Sequence, residues 1–340
     1  MAVRVTISDI ARELNTTPAT VSRALQDHPR ISDEMKRRVH ATAERLNFKI
    51  NKIASSLRSG RSHVIGVIIP SAQINFFGSV VHGIESMANE LGYSVLIFQT
   101  NEMESYEMKG LETFLSAQVD GILVSISKET LHFDHFQKVK SKGVPIVFFD
   151  RHHDNLGISS VTIDDYKGAY LAVSHLIQQG YRNIAHISGP HNVQIFLDRI
   201  EGYKKALLDH HMEVKDEFLI EGNVSIETGR TAFRKLMALP NKPDAVFAVE
   251  DFTALGVIKE AKLLGLSIPD QLGIIGFANE QFDEHITPSL SSVDQQTVRM
   301  GKEAFRLIID EIESKVEVMT PKNIKLEPIP YYRESSNKSR

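Results

Sequence analysis

The 340-residue chain contains no cysteine. Disulfides and thiolate chemistry are therefore excluded. No apolar run approaches the roughly 20 residues that span a bilayer. Met1 to Arg12 lacks the apolar core of a secretion signal. The chain reads as soluble and cytoplasmic, with no membrane partner. Enzyme signatures are also missing: there is no Walker loop, no G-x-S-x-G and no H-E-x-x-H. Gly189-Pro190 does not make a dinucleotide fingerprint. The histidines at 132, 135, 152, 153, 210 and 211 lack the cysteine or carboxylate spacing that completes a metal site. The expectation is a protein that is not an enzyme and needs neither metal nor cofactor.

Charge is present but uneven. Residues 1–60 carry 11 Lys/Arg against 6 Asp/Glu, so the formal charge of −4 hides a head of +5 and a body of −9. A basic head on an acidic body suits a head that meets a polyanion. A solvated N-terminal arm would carry the same charge, so the pattern inside the head decides.

Thr6-Ile-Ser-Asp9 reads as a capping box. Ile7, Ile10, Ala11 and Leu14 follow at helical spacing. Asn15-Thr16 breaks the chain tightly. Thr17 caps a second helix with Pro18 at its first position. Val21, Ala24 and Leu25 face inward on it, leaving Thr17, Ala19, Thr20, Ser22 and Arg23 facing out. A third helix starts at Ser32 and buries Met35, Val39, Ala43 and Leu46. Three short helices with a tight first turn make a helix-turn-helix. Its exposed hydroxyls suit phosphates and its guanidinium suits a guanine edge.

The segment Asn51–Ser62 is nearly a helix. Asn51 can cap it, and Ile53, Ala54 and Leu57 share one face. It is too short to be stable alone, and Ser59-Gly60 ends it. Such a segment can order when something, here DNA, holds it.

From His63 onward, apolar strands alternate with amphipathic helices. The strands are expected at 64–70, 93–99, 121–125 and 145–150, then at 183–188, 245–249 and 273–277. The helices are expected at 79–91, 171–179, 200–208, 231–238 and 254–264. Alternation of this kind predicts parallel, doubly wound sheets, in two successive groups and hence two lobes. Ligands bind beyond the carboxyl ends of such strands. That rule selects Phe76 and Phe77, Asp150-Arg151, Arg199 after Gly189-Pro190, Glu250-Asp251 and Ala278-Asn279. A few polar groups among aromatic walls suit a small polar molecule. An arginine with carboxylates suits a polyol or sugar. For single residues, strand-end capping or a salt bridge within a lobe is the competing role.

The run VTISDIARELNTTPATVSRAL from Val5 to Leu25, with Arg30-Ile-Ser, AERLNF and IASSLR, resembles the headpiece of the LacI/GalR family of bacterial transcription regulators. GVPIVFFDR, the R-x-x-G-Y of Arg199 to Tyr203, PDAVFAVEDFTALG, and TPSLSSVDQ running to Gln295 are similar to family signatures in the body. The resemblance implies an all-α helix-turn-helix headpiece over 4–49 and a hinge helix and linker over 50–61. It further implies a periplasmic-binding-protein-like α/β core of two doubly wound lobes over 62–333, with a polar tail at 334–340. Carried over by position, Pro18, Ala19 and Arg23 read bases. Thr6, Thr17, Thr20, Ser22 and Gln26 contact phosphates, with Arg30 at another DNA contact. Asn51, Ala54, Leu57 and Arg58 form the hinge, Leu57 wedging into the minor groove. Phe76, Phe77, Asp150, Arg199, Glu250, Asn279 and Gln295 line an effector cleft.

Departures from the family pattern accompany these matches. Phe48-Lys-Ile-Asn51 lacks the proline that usually precedes the hinge helix. Ala278 stands where an aspartate is common, and Glu250 where sugar binders often have asparagine. Val193, Ile195 and Val224 are apolar at places that are polar or aromatic elsewhere. The implied function is a regulator of the repressor type that binds a palindromic operator as a homodimer. A small molecule, a sugar or sugar derivative, controls it from the cleft. The rival readings are a solute-binding protein or a sugar-modifying enzyme with an accessory DNA-binding head.

Overall fold

A computed structural model describes residues 5–48, 61–314 and 320–338. The chain divides into two compact units, residues 1–62 and 63–340.

The first unit holds α1 (Ile7–Glu13), α2 (Pro18–Ala24) and α3 (Asp33–Arg45). Thr6 and Asp9 form the reciprocal capping box: Asp9 N–H donates to Thr6 Oγ1 at 3.4 Å and Thr6 N–H to Asp9 Oδ2 at 2.9 Å. The Thr6 hydroxyl, which donates to Asp9 Oδ2 at 2.6 Å, and the Thr6 N–H hold the Asp9 carboxyl below its usual range. Asn15 takes the left-handed conformation, φ 50°, that asparagine tolerates, and Thr16 N–H closes back on Ala11 O at 2.9 Å. Thr17 Oγ1 accepts from Thr20 N–H at 3.1 Å, capping α2. Ile10, Ala11, Val21, Ala24, Val39 and Ala43 form the buried centre, closed by Leu14, Leu25, Met35, Leu46 and Phe48. Arg45 pairs with Glu13, tying α3 to α1.

The second unit is built on two parallel sheets. The first comprises β1 (Val64–Ile69), β2 (Ser94–Gln99), β3 (Gly121–Val124), β4 (Ile146–Phe149), β5 (Ser159–Ile163) and β11 (Asn323–Leu326), in the order β11-β5-β4-β3-β1-β2. It carries α4 (Asn75–Glu90), α5 (Glu104–Ser116) and α6 (Asp134–Ser141). The second sheet comprises β6 (Ile184–Ser188), β7 (Leu219–Glu221), β8 (Ala245–Ala248) and β9 (Gly273–Ile275), in the order β7-β6-β8-β9. Its helices are α7 (Asp165–Gln178), α8 (Gln194–Asp209), α9 (Ile226–Met237) and α10 (Asp251–Leu263). An antiparallel pair, β10 (Ser292–Asp294) with β12 (Ile329–Tyr331), continues this side. Strands β1, β3, β4, β6, β8 and β9 are near-continuously apolar and buried on both faces by these helices, whereas the edge strand β2 is partly exposed.

Two expectations are corrected. The lobes are not successive stretches of chain. After β10 the chain returns as α11 (Thr297–Glu313), whose Met300, Phe305 and Ile308 enter the core of the first sheet. Gly301 and Gly83 permit that contact, since a Cβ on Gly301 would lie 2.1 Å from Val80 O and one on Gly83 2.2 Å from Val298 O. The chain then adds β11 to the first sheet and crosses back to β12. Three segments therefore connect the lobes: 163–165, 294–297 and 326–329.

Nor do residues 334–338 of the expected polar tail stand apart from the core. Ser335 and Ser336 are fully buried. Ser335 exchanges backbone and side-chain bonds with Ile274 and Ser291, at 2.7 to 2.8 Å. The hydroxyls of these small residues complete the sheet edge where an apolar side chain would leave backbone groups unpaired.

Two buried histidines brace the second lobe. His186 Nδ1–H donates to Phe247 O at 2.9 Å, and His175 stacks on Tyr332 at 3.8 Å. Burial pushes His186 down to about 3 and His175 down to about 4. Both lie below the unfolded value of 6.5. Their contribution to stability is therefore present above that value and is lost as pH falls toward 4. In an NMR titration both imidazoles should hold neutral chemical shifts at pH 5; a midpoint near 6.5 for either would contradict this.

Candidate functional site

The larger site lies between the two lobes of the second unit. On the first lobe, the chain leaves β1 and enters α4 through Phe76 and Phe77, whose rings meet edge to face at 5.1 Å. Both are buried, Phe77 almost completely. Asp150 follows β4 in the left-handed region, φ 60°, a strained conformation of the kind found at ligand sites. Ser125 Oγ donates to its Oδ2 at 3.3 Å. Burial raises the Asp150 carboxyl, while Arg151 and Arg199 pull the other way.

On the second lobe, Arg199 projects from α8 and is 2% exposed. Its Nε donates to Asp165 Oδ1 at 2.8 Å, its Nη1 to Val249 O at 2.6 Å and its Nη2 to Gln295 Oε1 at 3.3 Å. Nη2 also lies 2.7 Å from Asp165 Oδ1. The guanidinium sits 3.7 Å above the Phe277 ring centre. Asp165 and Gln295 each flank a crossing between the lobes, so one cation joins two of the three connections. Burial raises Asp165 to about 7 against the pull of Arg199. Asp165 escaped sequence reasoning. The only signal was the doublet Asp164-Asp165 at a helix start, where an acid is expected anyway.

The other residues selected from sequence are placed differently. Glu250 Oε2 accepts from Phe252 N–H at 2.8 Å and caps α10. Burial, reinforced by Asp251, lifts it to about 8. Asn279 is spent within its lobe: Nδ2 donates to Asp294 at 3.3 Å and Oδ1 accepts from Arg333 at 2.8 Å. Gln295 is buried against Arg199. Asp150, Asp165 and Glu250 thus all lie in the field of one arginine. These three buried carboxyls, with Arg199 common to all and Arg151 beside Asp150, favour a ligand rich in hydroxyl donors.

Two cavities open along this cleft. One, of about 460 Å³, is lined by Phe76, Ser79, Asn279 and Glu280. The other, of about 160 Å³, is lined by Lys128, Arg151, His152, His153, Asn192 and Ile195 among others. Beside each, the lobes touch. Asn75 Nδ2 donates to Glu280 Oε2 at 2.9 Å, and Asn192 Nδ2 to Lys128 O at 2.8 Å.

In the first unit, Thr17, Pro18, Ala19, Arg23, Gln26 and Arg30 are exposed and Thr20 half-buried. Thr6 and Thr17 use their hydroxyls as caps, and Thr20 Oγ1 lies 2.9 Å from Thr17 Oγ1. Ser22, expected to face out, is instead buried at 8% exposure. Asn51, Ala54, Leu57 and Arg58 lie outside the described residues. Among the described residues no group of metal-ligating side chains is found, and no helix is long and apolar enough to cross a membrane.

A helix-turn-helix followed by a two-lobed ligand-binding core is the architecture of a ligand-controlled DNA-binding regulator. Residues 62–335 match the model of periplasmic binding proteins and the sugar-binding domain of the LacI family, and residues 6–51 that of the bacterial regulatory proteins of the lacI family. The chain belongs to the LacI family of DNA-binding transcription regulators. Among curated relatives, catabolite control protein A of Priestia megaterium is 35% identical over 307 residues, 90% of this chain and 92% of that protein. The transcriptional regulator CelR in its cellobiose complex is 26% identical, with a TM-score of 0.73 over 98% of this chain and all of that one. The lac repressor dimer bound to operator and an anti-inducer aligns with a TM-score of 0.88 over 98% of this chain and 100% of that chain. At 22% identity that likeness speaks for the fold alone.

Proposed function

We propose that the protein is a non-enzymatic cytoplasmic repressor that binds a palindromic operator as a homodimer and answers to a sugar or sugar derivative in the cleft. The observation carrying the effector reading is the Arg199 hub, where one buried guanidinium links Asp165 and Gln295 at the lobe crossings. A ligand that changes this network favours one lobe arrangement over another, which is the requirement for coupling two sites. The similar regulator CelR, solved as a cellobiose complex, supports a carbohydrate. Leu96 and Ile97, exposed on the edge strand β2, offer apolar surface for a second copy.

On the head, Pro18, Ala19 and Arg23 would read bases, while Thr6, Thr17, Thr20, Gln26 and Arg30 would meet phosphates. Ser22, being buried, would act through its helix rather than by direct contact. The hinge roles of Asn51, Ala54, Leu57 and Arg58 rest on the sequence. Arg23 is exposed and has no part in the bundle centre. Arg23→Ala should therefore weaken specific operator binding by roughly 1–3 kcal/mol and leave random-sequence binding nearly unchanged. A gel shift on both DNAs checks this; equal loss on each would reduce Arg23 to a phosphate contact.

A further inference from the structure

The two cavities of the cleft differ in charge. The larger includes Glu280 among its walls. The smaller has Lys128, Arg151, His152 and His153 in its walls and no acidic side chain among its lining residues. Its opposite wall is the start of α8, a helix of 16 residues whose first turn has no acid and whose N-terminus has no side-chain cap. Unsatisfied N–H groups and the helix dipole there favour an anion.

Two polar atoms at the same place lack partners. Arg151 gives Nη1 to Glu102 at 2.7 Å and to Ile126 O at 3.4 Å. Its buried Nε has no hydrogen-bond partner, with Asp150 Oδ2 3.9 Å away. His152 Nδ1 is likewise buried without one, although Nε2 faces Asp154 at 3.1 Å. Buried polar atoms left unpaired at a cavity wall call for a ligand or solvent to satisfy them.

We infer that this cavity is an anion subsite, and that the effector is a sugar carrying a phosphate or carboxylate held by Lys128, Arg151 and the start of α8. This rests on the sugar-effector reading above and narrows it. The larger cavity, with Phe76, Ser79 and Asn279 in its walls, then takes the hydroxyl-bearing body, while the smaller takes the charge. Lys128 is suited to the role: its backbone is fixed by Glu102 and Asn192. At about 160 Å³ the cavity has room for one such group.

The test uses calorimetry and thermal shift on the full-length wild-type protein and on Lys128→Met, which removes charge while keeping most of the side chain's length. The probes are neutral hexoses, their 6-phosphates, the matching uronates and inorganic phosphate. An anionic form should bind the wild type about tenfold or more tighter than its neutral parent. Lys128→Met should shrink that preference, and inorganic phosphate should stabilise the wild type more than the variant. Phosphate against uronate then identifies the anion. A neutral sugar that binds as well as its anionic forms, or a preference untouched by Lys128→Met, would overturn the subsite and leave the sugar reading standing. Stabilisation by inorganic phosphate that depends on Lys128, without binding of any sugar, would keep the anion site and overturn the sugar reading. Absence of any response to all four probes would overturn both.

Discussion

Arg199→Ala is expected to lower the unfolding free energy of the core by roughly 3–5 kcal/mol, the usual cost of breaking a buried ion pair by removing one partner. The side chain is 2% exposed, and every contact it makes is internal. Without it, Asp165 remains buried beside Asp150 and Asp198 with no counter-charge. Val249 O and Gln295 Oε1 lose their donor, and the face of Phe277 loses the cation. The variant should also fail to respond to effector, because the two lobe crossings are no longer joined. Adding Asp165→Asn should recover part of the lost stability, since it removes the stranded charge. Urea unfolding of the two single variants and the double variant measures this as a coupling energy. If the losses simply add, the two side chains are not acting as a pair. The first variant's failure to fold would still leave Asp165→Asn to be measured alone, which should cost less than Arg199→Ala.

The head was legible because its determinants are local. Capping residues sit within three positions of the groups they satisfy, and the apolar residues repeat at helical spacing. Ser22 stands about 100° round the helix from buried Val21 and equally far from exposed Arg23, so spacing alone does not assign its face. In the core, alternation of strand and helix revealed the parallel sheets. It did not reveal that α11 and β11 return to the first sheet, because that return is encoded in long-range contacts such as Gly83 with Val298 and Met300 in the first core. β5 reads Ser-Ser-Val-Thr-Ile and lacks the apolar continuity of its neighbours. The carboxyl-end rule selected residues that gather between the two lobes but could not apportion roles. Glu250 is occupied by capping and Asn279 by Arg333, whereas Asp165, which looked like an ordinary first-turn acid, holds Arg199.

A second buried acid should behave in the opposite sense. Asp283→Asn is expected to stabilise the protein by on the order of 2–4 kcal/mol near neutral pH, since a tenfold change in proton affinity is worth about 1.4 kcal/mol. Asp283 is fully buried in the turn Gln281–Glu284, and neither of its oxygens has a hydrogen-bond donor from another residue. Arg333 Nη1 stays 3.9 Å from it and is engaged with Leu290 O at 2.8 Å. Asp283 faces Asp251, which is buried too and already accepts from Ser292 Oγ at 2.7 Å and Glu280 N–H at 3.0 Å. Two carboxyls so placed cannot both ionise, and burial lifts Asp283 to about 10.

A folded value above the unfolded 3.8 means that the folded state holds a proton the unfolded chain releases. Stability from this group is complete below 3.8 and declines as pH rises toward 10. Asparagine supplies an N–H for the same contact without a proton to lose. The stability gap between variant and wild type should therefore be small in acid and widen steadily toward alkaline pH. Urea unfolding across that range decides it: a less stable variant, or a gap independent of pH, would mean that Asp283 is held ionised. The pair also has a position worth keeping. Asp251 anchors the backbone of Glu280, and Glu280 receives Asn75 from the opposite lobe. A proton shared at this point holds one edge of the cleft, and a substitution that preserves the contact should preserve the cleft.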